Sequence, residues 1–168
     1  TAPGGPPAGG ASDAKKPGQK VHAFEDNQTK AQQHFVHGKE FFKNSKYFDA
    51  MEHFREAVRL MPEVAEYHYF LGKTLVMNPQ RIREAEERLL RAVELKPDRV
   101  EFYLELARFY QKVNLGLRSQ KYFQKVLELD PKNGEARVAL GIKEKKALNF
   151  KDFLKLDLGE MLKSKKDK

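Results

Sequence analysis

The sequence predicts an all-α chain, and three observations carry that prediction. From Thr29 onward, apolar residues recur at three- and four-residue steps, the period of a half-buried helix. No stretch alternates with period two for long enough to make a strand. Three apolar runs also end on a proline: AVRLMPE at 57–63, AVELKPD at 92–98 and VLELDPK at 126–132, with Pro62, Pro97 and Pro131 at 35- and 34-residue intervals. A beat of about 34 residues is the length of a helix–turn–helix unit.

The elements follow in order. Nine of the first 22 residues are Pro or Gly, and Val21 is the single large apolar residue there. Such a segment cannot bury enough surface to offset its ordering entropy. Residues 1–25 are therefore expected to be a disordered Pro/Gly-rich linker. The start at Thr1 rather than Met suggests a fragment or processed chain, tethered to an upstream domain of a larger, bacterial protein. Thr29 followed by Gln32 has the form of a capping box and predicts a helix start there.

The repeating domain is expected over 26–162, with units at about 31–63, 64–98 and 99–132 and capping helices at 133–162. With each closing proline set as position 32, small residues fall at position 8 (Gly38, Gly72, Ala107), position 20 (Ala50) and position 27 (Ala57). Large ones fall at position 7 (Leu71, Leu106), position 11 (Phe41, Leu75, Tyr110) and position 24 (Phe54, Phe123). One extra residue in the turn VMNPQR shifts Ala85, Leu89 and Ala92 by one. Small residues let helices approach, large ones fill the gaps beside them, and proline stops the second helix. A fourth unit opens with Leu140 and Gly141 and then loses the pattern. Phe150, Phe153, Leu154, Leu158, Met161 and Leu162 lie near helical spacing and suggest a cap rather than a membrane-surface helix. Residues 163–168 read as a Lys-rich disordered tail.

This spacing resembles the tetratricopeptide repeat over about residues 30–147. Position 4, usually Trp in that family, is His34, His68 and Tyr103, and Ser119 stands where a small Ala is usual. The resemblance implies a right-handed superhelical stack of antiparallel helix pairs, an α-solenoid, because one such unit cannot bury its own apolar face.

Composition narrows the function. There is no Cys, which excludes disulfides, thiolate metal sites and cysteine nucleophiles. No run of 18 apolar residues exists to span a membrane, and a cytoplasmic location is expected. The net charge of +8 sits mostly at the ends, with nine Lys against five acids in residues 143–168. That placement favours a solubility feature over a nucleic-acid site. His34 and His37 share a helical face, and His68 repeats the position of His34; this spacing allows zinc ligation but favours packed, hydrogen-bonded imidazoles. Glu84, Glu86 and Glu87 read as a solvated face. No phosphate loop, nucleophile elbow or spaced ligand set is present, so the chain is read as non-catalytic, without cofactor or metal.

The resemblance further implies a groove, lined by the first helix of each unit. Its positions 2, 5, 9 and 13 form ladders across the units. Position 2 is Gln32, Glu66, Glu101 and Glu135; position 5 is Phe35, Tyr69, Leu104 and Val138. Position 9 is Lys39, Lys73, Arg108 and Ile142; position 13 is Lys43, Met77, Lys112 and Lys146. The candidate partner-binding residues are therefore Phe35, Lys39, Lys43, Tyr69, Lys73, Met77, Leu104, Arg108 and Lys112. They imply a protein or peptide carrying apolar and acidic residues, bound by a scaffold or adaptor module. The repeats that clamp the C-terminal carboxylate of heat-shock chaperones need Lys, Asn and Arg where this chain has Phe35, Lys39, Phe70, Glu101 and Glu105, so that ligand is not expected. The alternatives are binding of RNA or an anionic membrane through the basic ends, and a self-assembling spacer. Sequence leaves the oligomeric state open.

Overall fold

A computed structural model describes residues 17–142, with side chains from Phe24 onward. Seven α-helices are present among them and no strand: α1 (Pro17–Lys43), α2 (Tyr47–Leu60), α3 (Ala65–Leu75), α4 (Ile82–Leu95), α5 (Val100–Lys112), α6 (Gly116–Leu129) and α7 (Gly134–Ala139). They pair as hairpins α1–α2, α3–α4 and α5–α6, each stacked on the next, in the right-handed superhelical arrangement of an α-solenoid.

The prolines stop helices on schedule. Pro62, Pro97 and Pro131 each stand two residues beyond a helix end, and the residue between caps it identically. Met61 N–H donates to Ala57 O, Lys96 N–H to Ala92 O and Asp130 N–H to Val126 O. The turn inside the first hairpin recurs in the third. Ser45 and Asn114 both adopt a left-handed backbone (φ 58° and 59°). Around them Lys46 N–H reaches back to Phe41 O, and Leu115 N–H to Tyr110 O, the six-to-one bond of a Schellman ending. The second hairpin takes its extra residue as a short 3₁₀ turn, Pro79–Arg81, which Asn78 caps by accepting from Gln80 N–H.

The core is built by the phase. Ala50, Ala57, Ala85, Ala92 and Ala107 are fully buried. So are Phe54 and Leu89, and Phe123 is almost so. Gly38 lies under the Phe54 ring, and Gly72 lies under Leu89. Ser119, the departure at position 20, is buried and donates its hydroxyl to Ala107 O at 2.9 Å. A buried hydroxyl with a partner carries little penalty, so the serine fits where an alanine would.

Three expectations are revised. Helix α1 begins at Pro17, inside the segment 1–25 read as linker; residues 1–16 lie outside the described structure. Proline at a helix's first position costs nothing, because its missing N–H would have had no partner there. Thr29 is therefore an interior residue, and its hydroxyl donates to Glu25 O instead of capping. Helix α7 ends after six residues, with Gly141 in the left-handed region (φ 68°) and Ile142 N–H bonded to Arg137 O. Gly141 thus terminates a helix instead of packing under a large side chain. The expected cap at 143–162 and tail at 163–168 lie outside the described residues. No helix among the described residues is long and apolar enough to cross a membrane.

Candidate functional site: the face of helices α1, α3 and α5

Helices α3 and α5 each start just after a closing proline, at Ala65 and Val100, and repeat the register of α1. Glu66, Glu101 and Glu135 sit in the first turns of α3, α5 and α7, where the helix dipole favours a negative charge. They are also paired. Lys96 Nζ donates to Glu66 at 2.8 Å, Arg99 reaches both Glu66 and Glu101, and Arg108 binds Glu135 with a 2.7 Å bond from Nε. Burial works to raise the Glu66 carboxyl, but Lys96, a backbone N–H and Arg99 outweigh it and hold it below the usual range. A backbone N–H and Arg99 lower Glu101, and the Arg108 hydrogen bonds lower Glu135. The acidic edge is thus occupied in capping helices and joining units.

The apolar stripe is uneven. Phe35 is 8% exposed, with its ring 4.8 Å from Tyr67, 5.2 Å from Phe70 and 5.8 Å from Phe54. It is a core residue with little surface left for a ligand. Tyr69 and Leu104 are half-buried. The Tyr69 ring stacks on Phe102 at 4.9 Å and meets Phe70 edge-on at 5.2 Å, which fixes its orientation. Burial, then the Glu105 carboxylate, push its phenol up to about 12. Val138, in α7, is 81% exposed.

The cations divide into two kinds. Arg108 is held by Glu135 and lies 3.6 Å from Glu105; the hydrogen bond to Glu135 raises its pKa further. Lys112 Nζ donates to Val76 O at 2.8 Å, tying α5 to the end of α3. Both are structural contacts between units. Lys73 is looser: its Nζ is 3.9 Å from Glu105 and lies over the Tyr69 and Phe42 rings at 5.6 and 5.8 Å. Lys39 Nζ lies 4.9 Å over Phe35, and Lys43 is exposed in the last turn of α1. Neither pairs with a carboxylate among the described residues. Met77 is 47% exposed just past α3, beside Phe48 at 72%. Of the candidates, Lys39, Lys43 and Lys73 are the cations without a close carboxylate partner, Tyr69 and Leu104 keep part of their surface, and Met77 lies toward α2, beside Phe48 and Met51.

Two features escaped the sequence reading. Glu105 is 8% exposed, and its Oε2 has no hydrogen-bond partner although Lys73 and Arg108 flank it. Glu84 and Glu86 are half-buried ties rather than a solvated face. Arg55 clasps Glu84 with bonds of 2.9 and 2.8 Å, while Tyr110 and Arg118 both donate to Glu86. The histidines also sort differently from the expected set. His68 is buried and bonded to Pro62 O at 2.8 Å, whereas His34 meets His53. Burial lowers the pKa of His68. Burial, with His34 and His37 nearby, lowers that of His53.

Comparison with known proteins agrees with this architecture. Residues 100–133 match a family model described as the tetratricopeptide repeat. No curated protein matches the sequence. Among solved structures, the Arabidopsis OM64 TPR domain is similar at 20% identity and a TM-score of 0.62, covering 67% of this chain and 93% of that one. The first TPR of Spaghetti (RPAP3), bound to the HSP90 peptide SRMEEVD, is similar at 22% identity and a TM-score of 0.63, covering 68% and 90%. MamA is similar at 22% identity and a TM-score of 0.64, covering 74% and 71%. Likeness at these identities establishes the shared fold.

Proposed function

We propose that the chain is a protein-interaction module of the tetratricopeptide-repeat kind, whose α1, α3 and α5 face holds a peptide segment rich in acidic and apolar residues. The observation that carries the reading is that Lys39 and Lys43 have no carboxylate partner among the described residues and Lys73 only a loose one, Glu105 at 3.9 Å, whereas Arg108 is engaged by Glu135. Beside them, Tyr69 is a rigid aromatic with most of its surface covered and no hydrogen bond to its hydroxyl among the described residues. A largely covered aromatic next to loosely held cations is the arrangement that anchors a partner. The RPAP3 domain is a similar fold whose solved complex contains an acidic peptide. Here the bound segment is internal to its chain, because Phe35, Phe70, Glu101 and Glu105 offer no cradle for a terminal carboxylate.

The test is selection of random peptides displayed on phage against the wild-type protein, followed by binding of the selected peptides to Lys39→Glu/Lys43→Glu. Selected sequences enriched in Asp, Glu and large apolar residues, with binding lost in the variant, support the proposal. Selection of basic sequences, or equal binding to the variant, contradicts it.

A further inference from the structure

We propose that His34 and His53 form a two-imidazole site for a divalent transition cation, which staples α1 to α2 at the first hairpin. Their Nδ1 atoms face each other across the helix seam at 3.1 Å. Two imidazole nitrogens at about 2.0–2.1 Å from one ion, subtending 90–109°, stand about 2.8–3.4 Å apart. The observed separation falls inside that span, so small adjustments admit an ion.

The rings are held in place. Phe41 stacks against His53 at 5.2 Å with its plane tilted by only 14°, so the imidazole presents its edge. The His34 and His53 ring centres are 5.3 Å apart. His37, one turn along α1, stands edge-on to His53 at 5.6 Å. No group of three His, Asp or Glu among the described residues is arranged to hold an ion, so the other coordination positions would be left to water. Both histidines are half-buried and reachable from solvent. Neutral imidazole suits Zn²⁺, Ni²⁺ and Cu²⁺ and not the hard cations Mg²⁺ or Ca²⁺. The cation would bridge α1 and α2 within the first hairpin.

The competing arrangement is a plain hydrogen bond, with one Nδ1–H donating to the other Nδ1. Calorimetric titration of the tag-free full chain with ZnCl₂ and NiCl₂ separates the two, together with imidazole ¹⁵N spectra of the same samples. The expected result is saturable binding of one equivalent, with His34 and His53 Nδ1 signals shifting and those of His68 still. His34→Gln and His53→Gln should each weaken binding about 10-fold or more. The site is overturned if neither metal binds, if MgCl₂ binds equally, or if the wild-type spectra place the ion away from these two rings. The spectra decide the matter even should a variant fail to fold.

Discussion

Replacing Gly72 by Ala tests the packing phase at its tightest point. A Cβ built on Gly72 would stand 2.8 Å from Leu89 Cγ, 2.9 Å from Cδ2 and 3.1 Å from the Leu89 backbone nitrogen. Carbon atoms in good contact are about 3.5–4.0 Å apart, so Leu89 must retreat by well over half an ångström. It cannot do so freely: it is fully buried, and the third contact is helix α4 itself. Overpacking of this kind costs about 1–3 kcal/mol. Alanine recovers about 1 kcal/mol of helix propensity over glycine, so the expected net loss is about 0–2 kcal/mol. Leu89→Ala alone should cost about 2–5 kcal/mol through the cavity it leaves. The decisive quantity is the coupling. With Leu89 shortened the two side-chain clashes disappear and only the 3.1 Å backbone contact remains, so the double variant should be more stable than the sum of the singles by about 1–3 kcal/mol. Urea unfolding followed by circular dichroism gives all three values. Additivity within about 0.5 kcal/mol would refute the claim that α3 and α4 meet through this pair.

The ion pairs and buried groups make further predictions. Arg108→Glu should lower stability by about 1–3 kcal/mol, because it strips buried Glu105 of a cation and places a carboxylate beside Glu105 and Glu135. Lys39→Glu should stay within about 0.5 kcal/mol of wild type in the same melting experiment. Tyr110→Phe removes the 2.7 Å bond to Glu86 and should cost about 1 kcal/mol, reduced by the Arg118 that Glu86 keeps. His53 and His68 both titrate below 6.5 when folded, so the unfolded chain binds their protons more readily. Their contribution is complete above pH 6.5 and is lost as pH falls through the folded values. Melting temperature should therefore decline from pH 6.5 downward, and the decline should be shallower in His68→Gln; an unchanged slope would count against the buried neutral His68.

The packing phase was legible in the sequence because it depends on residue size alone. Small residues at 38, 72 and 107 and large ones at 54, 89 and 123 follow from the 34-residue beat without knowledge of any angle. The start of α1 was not, because the Pro and Gly content of residues 1–22 is concentrated before residue 11, leaving only Pro17 and Gly18 within the helix. The face itself was half legible. Register places Phe35 and Tyr69 at equivalent positions, yet Phe35 is covered by Tyr67 and Phe70 from the next unit. Which cation is engaged also depends on how one unit rotates over the next. Arg108 meets Glu135 27 residues away, and Arg55 meets Glu84 29 residues away, pairings that no local pattern encodes. This changes the useful variants: reversing Arg108 confounds binding with stability, whereas Lys39 and Lys43 do not share that defect.

The central claim is that the α1, α3 and α5 face receives the partner. Amide and methyl chemical shifts of the labelled full chain, recorded while a selected acidic-apolar peptide is titrated in, test it most directly. The account predicts shifts concentrated around Lys39, Lys43, Tyr69, Lys73, Met77 and Leu104, and their absence in Lys39→Glu/Lys43→Glu at the same peptide concentration. Shifts confined to α2, α4 and α6, or to the Lys-rich residues after 142, would contradict it.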